Sequence, residues 1–282
     1  MKLSLGTVQF GLAYGIAGRN TPVESAEVRQ ILELAQSAGI TTLDTAAAYG
    51  DIEERLGALC EGLDFQVISK IPPVPENLPF EARCEWVAAM VERSVTKLGG
   101  RLSGLMFHQA KDLLGSDANA LWSTAAGVTQ QKIPLGVSCY STGELDDIAM
   151  QLPVGMAQLP GNALDQQLIN YHADATLWVR SAFLQGALLM NVADACDKLP
   201  EGRSWIHAWH VWCRINGYAP LQAALGLVKG MTGADCCVVG VDSVAHLEKI
   251  LEAWEAVPAL LAPELACPLA QVTDPRLWKK HT

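Results

Sequence analysis

Short apolar runs alternate along the chain with longer stretches whose apolar positions recur three and four residues apart. The short runs LSLGTV (3–8), TTLD (41–44), QVISK (66–70), SGLMFH (103–108), IPLGVS (133–138), VGMAQ (154–158), TLWVRS (176–181) and CCVVGV (236–241) read as eight strands. The longer stretches predict helices over 23–38, 51–61, 80–98, 117–128, 142–151, 203–216, 220–231 and 243–256. In the first of these, Val28, Ile31, Leu32 and Ala35 make one face. Gly39 and Gly99 stand where helices should stop. Segment 159–175 has no settled period and leaves room for only a turn of helix.

Strand and helix in alternation imply parallel pairing through βαβ units. Eight units within 282 residues predict an α/β protein of one domain, residues 1–282, closed as a (β/α)8 or TIM barrel. That fold typically takes about 250 residues. The rival is an open doubly wound sheet, which wants a glycine-rich phosphate loop after an early strand. Here the first strand leads into GTVQFGLAYG, which does not fit G-x-G-x-x-G. No linker interrupts the rhythm, and IPPVPENLP (71–79) is a stiff surface loop too short to link separate domains.

Composition narrows the partners. Twenty basic against thirty acidic residues give a net charge of −10, which argues against a nucleic-acid backbone or an anionic membrane. It leaves open a small anionic ligand in a local basic pocket. The eight cysteines form no C-x-x-C pair and mostly lie inside apolar runs. They read as small buried hydrophobes of a reduced, cytoplasmic protein. The opening MKLSLGTVQFG has one lysine and an apolar run cut by Gly6, and reads as neither a signal peptide nor a membrane span.

In a barrel the C-terminal strand ends face one mouth, where chemistry gathers. Asp44, Tyr49, Lys70 and His108 fall at or just past three successive strand ends and should converge there. A phenol titrates near about 10 and is a poor donor at neutral pH. An ammonium beside it lowers that value, and a carboxylate can hold the ammonium charged and in place. A histidine can orient a carbonyl or share the proton. Together they suit protonation of an oxygen on which negative charge develops. Taken singly, each has a commoner use: the acid as a helix cap, the tyrosine as packing, the lysine as a solvated charge.

These residues carry a resemblance. Over nearly its whole length the chain resembles the aldo-keto reductase superfamily, through LGTVQFGLAYG, TLDTAAAYGDIEERLG, VISKI, LMFHQA, LGVSCYS, QLPGNALDQQL, VRSAFLQGALL and VVGVDS. The D-T-A-x-x-Y-G segment, with Glu54 and Leu56–Gly57 behind it, is the most specific piece. The resemblance implies a (β/α)8 barrel that binds an extended nicotinamide cofactor and transfers hydride to a small aldehyde or ketone. Tyr49 is then the acid, Lys70 and Asp44 its tuning pair, and His108 stands beside the carbonyl. No metal is implied, and the chain is expected to be a monomer or a weak homo-oligomer.

By the same resemblance Ser138 and Gln158 hold the nicotinamide carboxamide, with Cys139 where an asparagine is usual. Arg180 takes the place of an aromatic ring that stacks on the nicotinamide, and a guanidinium plane can stack too. Ser181, Leu184 and Gln185 follow in the segment that clasps the pyrophosphate. At the adenosine end the stretch GVDSVAHLEKI supplies Gly240, Asp242, Ser243 and His246. Ser243 caps the last helix, Asp242 opposes a 2′-phosphate, and His246 stands where an arginine is frequent, with Lys249 and Ile250 in place of a Glu-Asn pair. NADPH is the default this implies, with NADH open.

Two stretches stand apart. SWIHAWHVWC (204–213) spaces Trp205, Trp209 and Trp212 as a helix face with His207 and His210 between them. It reads as a buried face rather than a metal pair, because no third ligand is near. The region 186–204 contributes Asp194, Asp197, Lys198, Glu201 and Arg203 and admits a polar substrate such as a sugar. Two other functions fit the same residues: a dehydrogenase of a sugar or other alcohol, running the chemistry backwards, and a non-catalytic cofactor-binding sensor.

Overall fold

The computed structural model describes residues 1–18 and 21–278. The chain opens with β1 (Lys2–Gly6) and a short α1 (Val8–Gly11), then α2 (Ser25–Ser37), β2 (Thr42–Asp44), α3 (Ile52–Leu59) and β3 (Gln66–Ile71). There follow α4 (Phe80–Leu98), β4 (Leu102–Phe107), α5 (Ala118–Val128), β5 (Leu135–Ser138), α6 (Thr142–Ala149), β6 (Met156–Pro160) and β7 (Thr176–Arg180). The remainder is α7 (Val192–Lys198), α8 (Arg203–Asn216), α9 (Pro220–Lys229), β8 (Cys236–Gly240), α10 (Val244–Ala256) and α11 (Ala270–Thr273). The strands run in sequence order, all parallel, and close into a barrel through β1 and β8. Lys2–Gly6 pairs residue for residue with Cys236–Gly240.

Every strand and helix expected from the pattern is present, most with ends shifted by a residue or two, and two differences have physical reasons. The first strand stops at Gly6: the Thr7 amide still donates to the Asp44 carbonyl (2.9 Å), but Val8–Gly11 then coils into α1. Gly11 then passes so close to Tyr49 that an added Cβ would lie 1.9 Å from its carbonyl oxygen. The second difference is α7, which the period did not reveal. Its signal is a local one: Asn191 accepts from the Asp194 amide at 3.0 Å and caps the helix. Segment 161–175 forms turns and no helix. Asn162 accounts for that, since its Oδ1 accepts from the Leu164 and Asp165 amides and draws the backbone out of helical pairing.

The main core lies between the sheet and its helices. Inside the barrel Ile68, Met106, Met156, Trp178 and Cys236 form a floor below the mouth. Gly104 and Gly136 make room for it, because a Cβ on either would meet the Met156 side chain within 2.5 Å. A second apolar cluster forms where α7 and α8 pack on the chain after β7. There Trp209 is fully buried, donates Nε1 to the Leu188 carbonyl (2.9 Å) and stacks on Trp212 at 6.4 Å. The tryptophan-rich stretch is thus a buried helix face with His207 exposed at its edge. Six of the eight cysteines are buried, as their apolar surroundings predict. Among the described residues no helix is long and apolar enough to cross a membrane.

Candidate active site

Backbone pairing continues past the strand ends and holds the site. Beyond β2 the Thr45 amide donates to Ile68 (2.9 Å) and the Ala47 amide to Lys70 (3.2 Å). Beyond β4 the His108 amide donates to Ile71 (3.0 Å). These bonds bring Asp44, Tyr49, Lys70 and His108 to one place at the mouth. Lys70 points into the barrel, 1% exposed, and donates Nζ to Asp44 Oδ1 (2.7 Å) and to the Thr45 carbonyl (2.8 Å). Gln158 Nε2 donates to the same Asp44 oxygen (2.7 Å). The Tyr49 ring lies 5.5 Å from the Lys70 ammonium, and its edge meets the His108 ring at 5.8 Å between centroids.

Charge in this cluster is arranged differently from the simple expectation. Burial raises the Tyr49 hydroxyl above the ordinary phenol range, and the Asp44 carboxylate adds to that, while Arg180 pulls the other way. Lys70 itself is paired with Asp44 at 2.7 Å, and burial outweighs the cations near the phenol. Burial pushes the Lys70 ammonium towards losing its proton and Asp44 opposes this. His108 falls to about 3 through burial and the nearby Lys70 and Arg180 charges. Its imidazole is therefore neutral at pH 7, with Nδ1 buried and unpartnered among the described residues.

A cavity of about 600 Å³ opens above this cluster and runs across the mouth towards α10. Asp44, Tyr49, Gln158 and Arg180 line one end, and Asp242, His246 and Lys249 the other. Arg180, the last residue of β7, donates to the Cys139 carbonyl (3.1 Å) and lies over the Tyr140 ring at 4.2 Å. Arg276 covers the same ring at 3.4 Å, held by Asp274 at 2.7 Å. After Arg180 the backbone enters the left-handed region at Ser181 (φ 61), Leu184 (φ 48), Gln185 (φ 52) and Gly186 (φ 95). Three non-glycine residues in that region cost on the order of 1–3 kcal/mol each, which surrounding structure must overcome. Ser181 and Gln185 line the cavity beside this turn.

Not every expected residue reaches the cavity. Ser138 ends β5 beside Gln158 and is buried outside the cavity lining. Leu184 turns away into the second apolar cluster, so its side chain cannot face a ligand there. Gln158 reaches the cavity, but its amide nitrogen is committed to Asp44. Gly240 lines the cavity against Gln9, whose side chain an added Cβ would strike at 2.3 Å. Ser243 caps α10 by accepting from the His246 amide (3.2 Å). The first amide of that helix, Val244, donates to Glu27 Oε1 (2.8 Å), so a carboxylate already sits at the helix N-terminus. Asp242 stands 3.9 Å from His246 Nδ1.

Three participants escaped the sequence reading. Tyr14 lines the cavity as a second phenol, raised to about 12 by burial and the neighbouring Tyr49. Gln9 also lines it, with a buried Oε1 that has no partner among the described residues. Glu53, rather than Glu54, is the buried acid behind the site. It is 2% exposed and accepts from Ser69 Oγ (2.6 Å) and Ser94 Oγ (2.9 Å), whereas Glu54 is exposed near Lys97 at 3.9 Å. The helical spacing of Glu53 with buried Leu56 and Cys60 was the available signal. Among the described residues no three His, Cys, Asp or Glu side chains gather as metal ligands.

Comparison with known proteins bears on this arrangement. Residues 2–113, which include Asp44, Tyr49, Lys70 and His108, match the model of the aldo/keto reductase family. Among solved structures, the barrel is similar to an aldo-keto reductase of Bacillus halodurans in its holo form. That pair has 16% identity, covers 99% of this chain and 92% of the other, and superposes with a TM-score of 0.70. The glycerol dehydrogenase of Gluconobacter oxydans is similar at 18% identity, covering 93% and 88%, with a TM-score of 0.65. A Pseudomonas aeruginosa protein provisionally classed as an aldo-keto reductase shares 23% identity over 89% of this chain and 88% of its own, with a TM-score of 0.64. No curated protein matches the chain. The resemblance carried by the D-T-A-x-x-Y-G segment is therefore borne out: over residues 2–113 the chain matches the aldo/keto reductase family, and over almost its full length it folds as the barrel those structures share.

Proposed function

We propose that the chain is an NAD(P)H-dependent oxidoreductase that reduces a small aldehyde or ketone to an alcohol. The observation that carries this is the buried Lys70–Asp44 pair beneath Tyr49, with the neutral His108 ring against the phenol at the end of a long cavity. The shape of the cavity suits an extended dinucleotide, since it runs from Tyr49 to Lys249 and passes the left-handed turn at Ser181–Gly186. The buried Gln9 Oε1, which lines the cavity without a partner among the described residues, supports the same fit. Bound there, a reduced nicotinamide would supply the hydride.

The chain's own residues would then manage the oxygen. Tyr49, held as the neutral phenol by burial, keeps its proton until negative charge develops on the substrate oxygen and then gives it up. Lys70 stays charged through Asp44 and stabilises the phenolate that remains. Neutral His108 can orient the carbonyl by a hydrogen bond but carries no spare proton at pH 7. Gln158 and Thr45 hold the Lys70–Asp44 pair in place. The same groups serve alcohol oxidation in reverse, a direction that the likeness to a glycerol dehydrogenase keeps in view. The deciding experiment is NADPH and NADH turnover with a panel of aldehydes and ketones, and of alcohols with the oxidised cofactors. Carbonyl-dependent oxidation of either reduced cofactor supports the reading. Cofactor binding without turnover in either direction, across the panel, would leave a sensor instead.

A further inference from the structure

Arg180 stands in the wall of the cavity at the Tyr49 end, partly buried. Its contacts are the Cys139 carbonyl (3.1 Å), Ser181 Oγ (3.5 Å) and the face of Tyr140 (4.2 Å). Among the described residues no carboxylate lies within ion-pair distance of it, although Arg29, Arg55, Arg83 and Arg276 each hold one. The other charges lining the cavity are accounted for. Asp44 is neutralised by Lys70, Asp242 faces His246, and Lys249 is exposed to water. A guanidinium offers five N–H donors in a planar fork that matches a carboxylate. Two neutral oxygens occupy part of that fork, and the carboxylate whose field meets it there, Asp165, lies beyond ion-pair distance and is itself pushed up to about 6 by burial. A partly buried cation without a counter-ion is costly unless a ligand provides one. Its field also reaches Tyr49, Tyr14 and His108, so a cation without a contact partner stands at the reacting end of the cavity.

We infer that Arg180 receives a carboxylate of the substrate, so that the preferred substrate is a carbonyl compound that also bears a carboxylate, a 2-oxo acid or another short oxo acid. This rests on the carbonyl-reductase reading above. It also differs from the role the resemblance implies for that position, a flat partner for the nicotinamide.

Two measurements test it on the full chain. The first compares kcat/KM for 4-carboxybenzaldehyde and for its methyl ester, and for pyruvate and methyl pyruvate, with NADPH and with NADH. The second follows binding of benzoate and of benzamide by tryptophan fluorescence, with and without NADPH, and needs no turnover. The parent is expected to favour the acid over the ester by tenfold or more in at least one pair and to bind benzoate tenfold tighter than benzamide. Arg180→Met is expected to abolish both preferences, and Arg180→Lys to keep some of each, with thermal melting confirming that each variant folds. Reduction of esters as fast as acids, together with equal binding of benzoate and benzamide, overturns the substrate assignment and leaves the reductase reading standing. Selective benzoate binding that is lost in Arg180→Met, without turnover of any aldehyde, supports the anion site and sinks the reductase reading. Loss of NADPH affinity in Arg180→Met with the acid preference intact would give the residue to the nicotinamide and overturn the inference.

Discussion

At the scale of single residues, the proposed chemistry rests on one phenol and the charges beneath it. Tyr49→Phe keeps the ring and removes the proton, so cofactor affinity should change little while kcat falls by about 10²- to 10⁴-fold. Lys70→Met should be as damaging, and the double variant little worse than either, because groups that act as a unit are strongly non-additive. Steady-state kinetics and fluorescence titration of the cofactor check both, and losses that multiply would show independent roles. At the far end of the cavity, Asp242 and the Glu27 carboxylate on the Val244 amide both oppose a 2′-phosphate. A helix N-terminus attracts an anion by only about 0.3 to 1 kcal/mol, and here that attraction is already taken up. NADPH should therefore exceed NADH in affinity by less than about a hundredfold, roughly 3 kcal/mol. Asp242→Asn should move the ratio towards NADPH, as paired dissociation constants would reveal. That Asp44, Tyr49, Lys70 and His108 meet at the mouth was legible because short motifs at strand ends carry them. Tyr14 and Gln9 were not, since Gln9 lies in the one-turn α1 and Tyr14 in the loop behind it, segments too short for any period to fix side-chain direction.

At the scale of elements, alternation on β3 links chemistry to packing. Lys70 faces inward, and its neighbour Ser69 faces outward to Glu53 on α3, which also takes a hydroxyl from Ser94 on α4. One buried carboxylate thus joins a strand to two helices. Glu53→Ala would leave both hydroxyls without an acceptor and open a void, at a cost of about 2 kcal/mol or more. Urea unfolding measures that cost, and an unchanged midpoint would show that water takes over the two hydroxyls. The strand and helix pattern was legible almost throughout, since apolar period decides both. The exceptions share a cause. At α1, at α7 and between β6 and β7, local side-chain bonds and close backbone approach outweigh periodicity, and Asn162 and Asn191 settle the outcome within a few residues.

At the scale of the whole molecule, stability should follow pH through a few buried groups. His108, about 3 when folded against an ordinary 6.5, binds its proton only on unfolding. The stability it provides is present above about pH 6.5 and lost as pH falls towards 3. Asp112 and Asp165, each raised to about 6 by burial, act in the opposite sense, since their contribution is lost as pH rises from about 4 through 6. Asp165→Asn should accordingly gain on the parent across that interval, by at most about 1.4 kcal/mol per pH unit. Chemical denaturation of both proteins at pH 4 and pH 7 gives the answer, and a constant difference would place the Asp165 carboxyl in water. The closed ladder between Lys2–Gly6 and Cys236–Gly240 has a consequence for how the molecule comes into being. The barrel's first strand waits for its eighth, and until Cys236–Gly240 is made every nascent form of the barrel carries a raw strand edge at each side of an unfinished sheet. Such edges recruit other chains, so the seam that leaves the finished barrel without an edge also makes its birth the most hazardous period of its life.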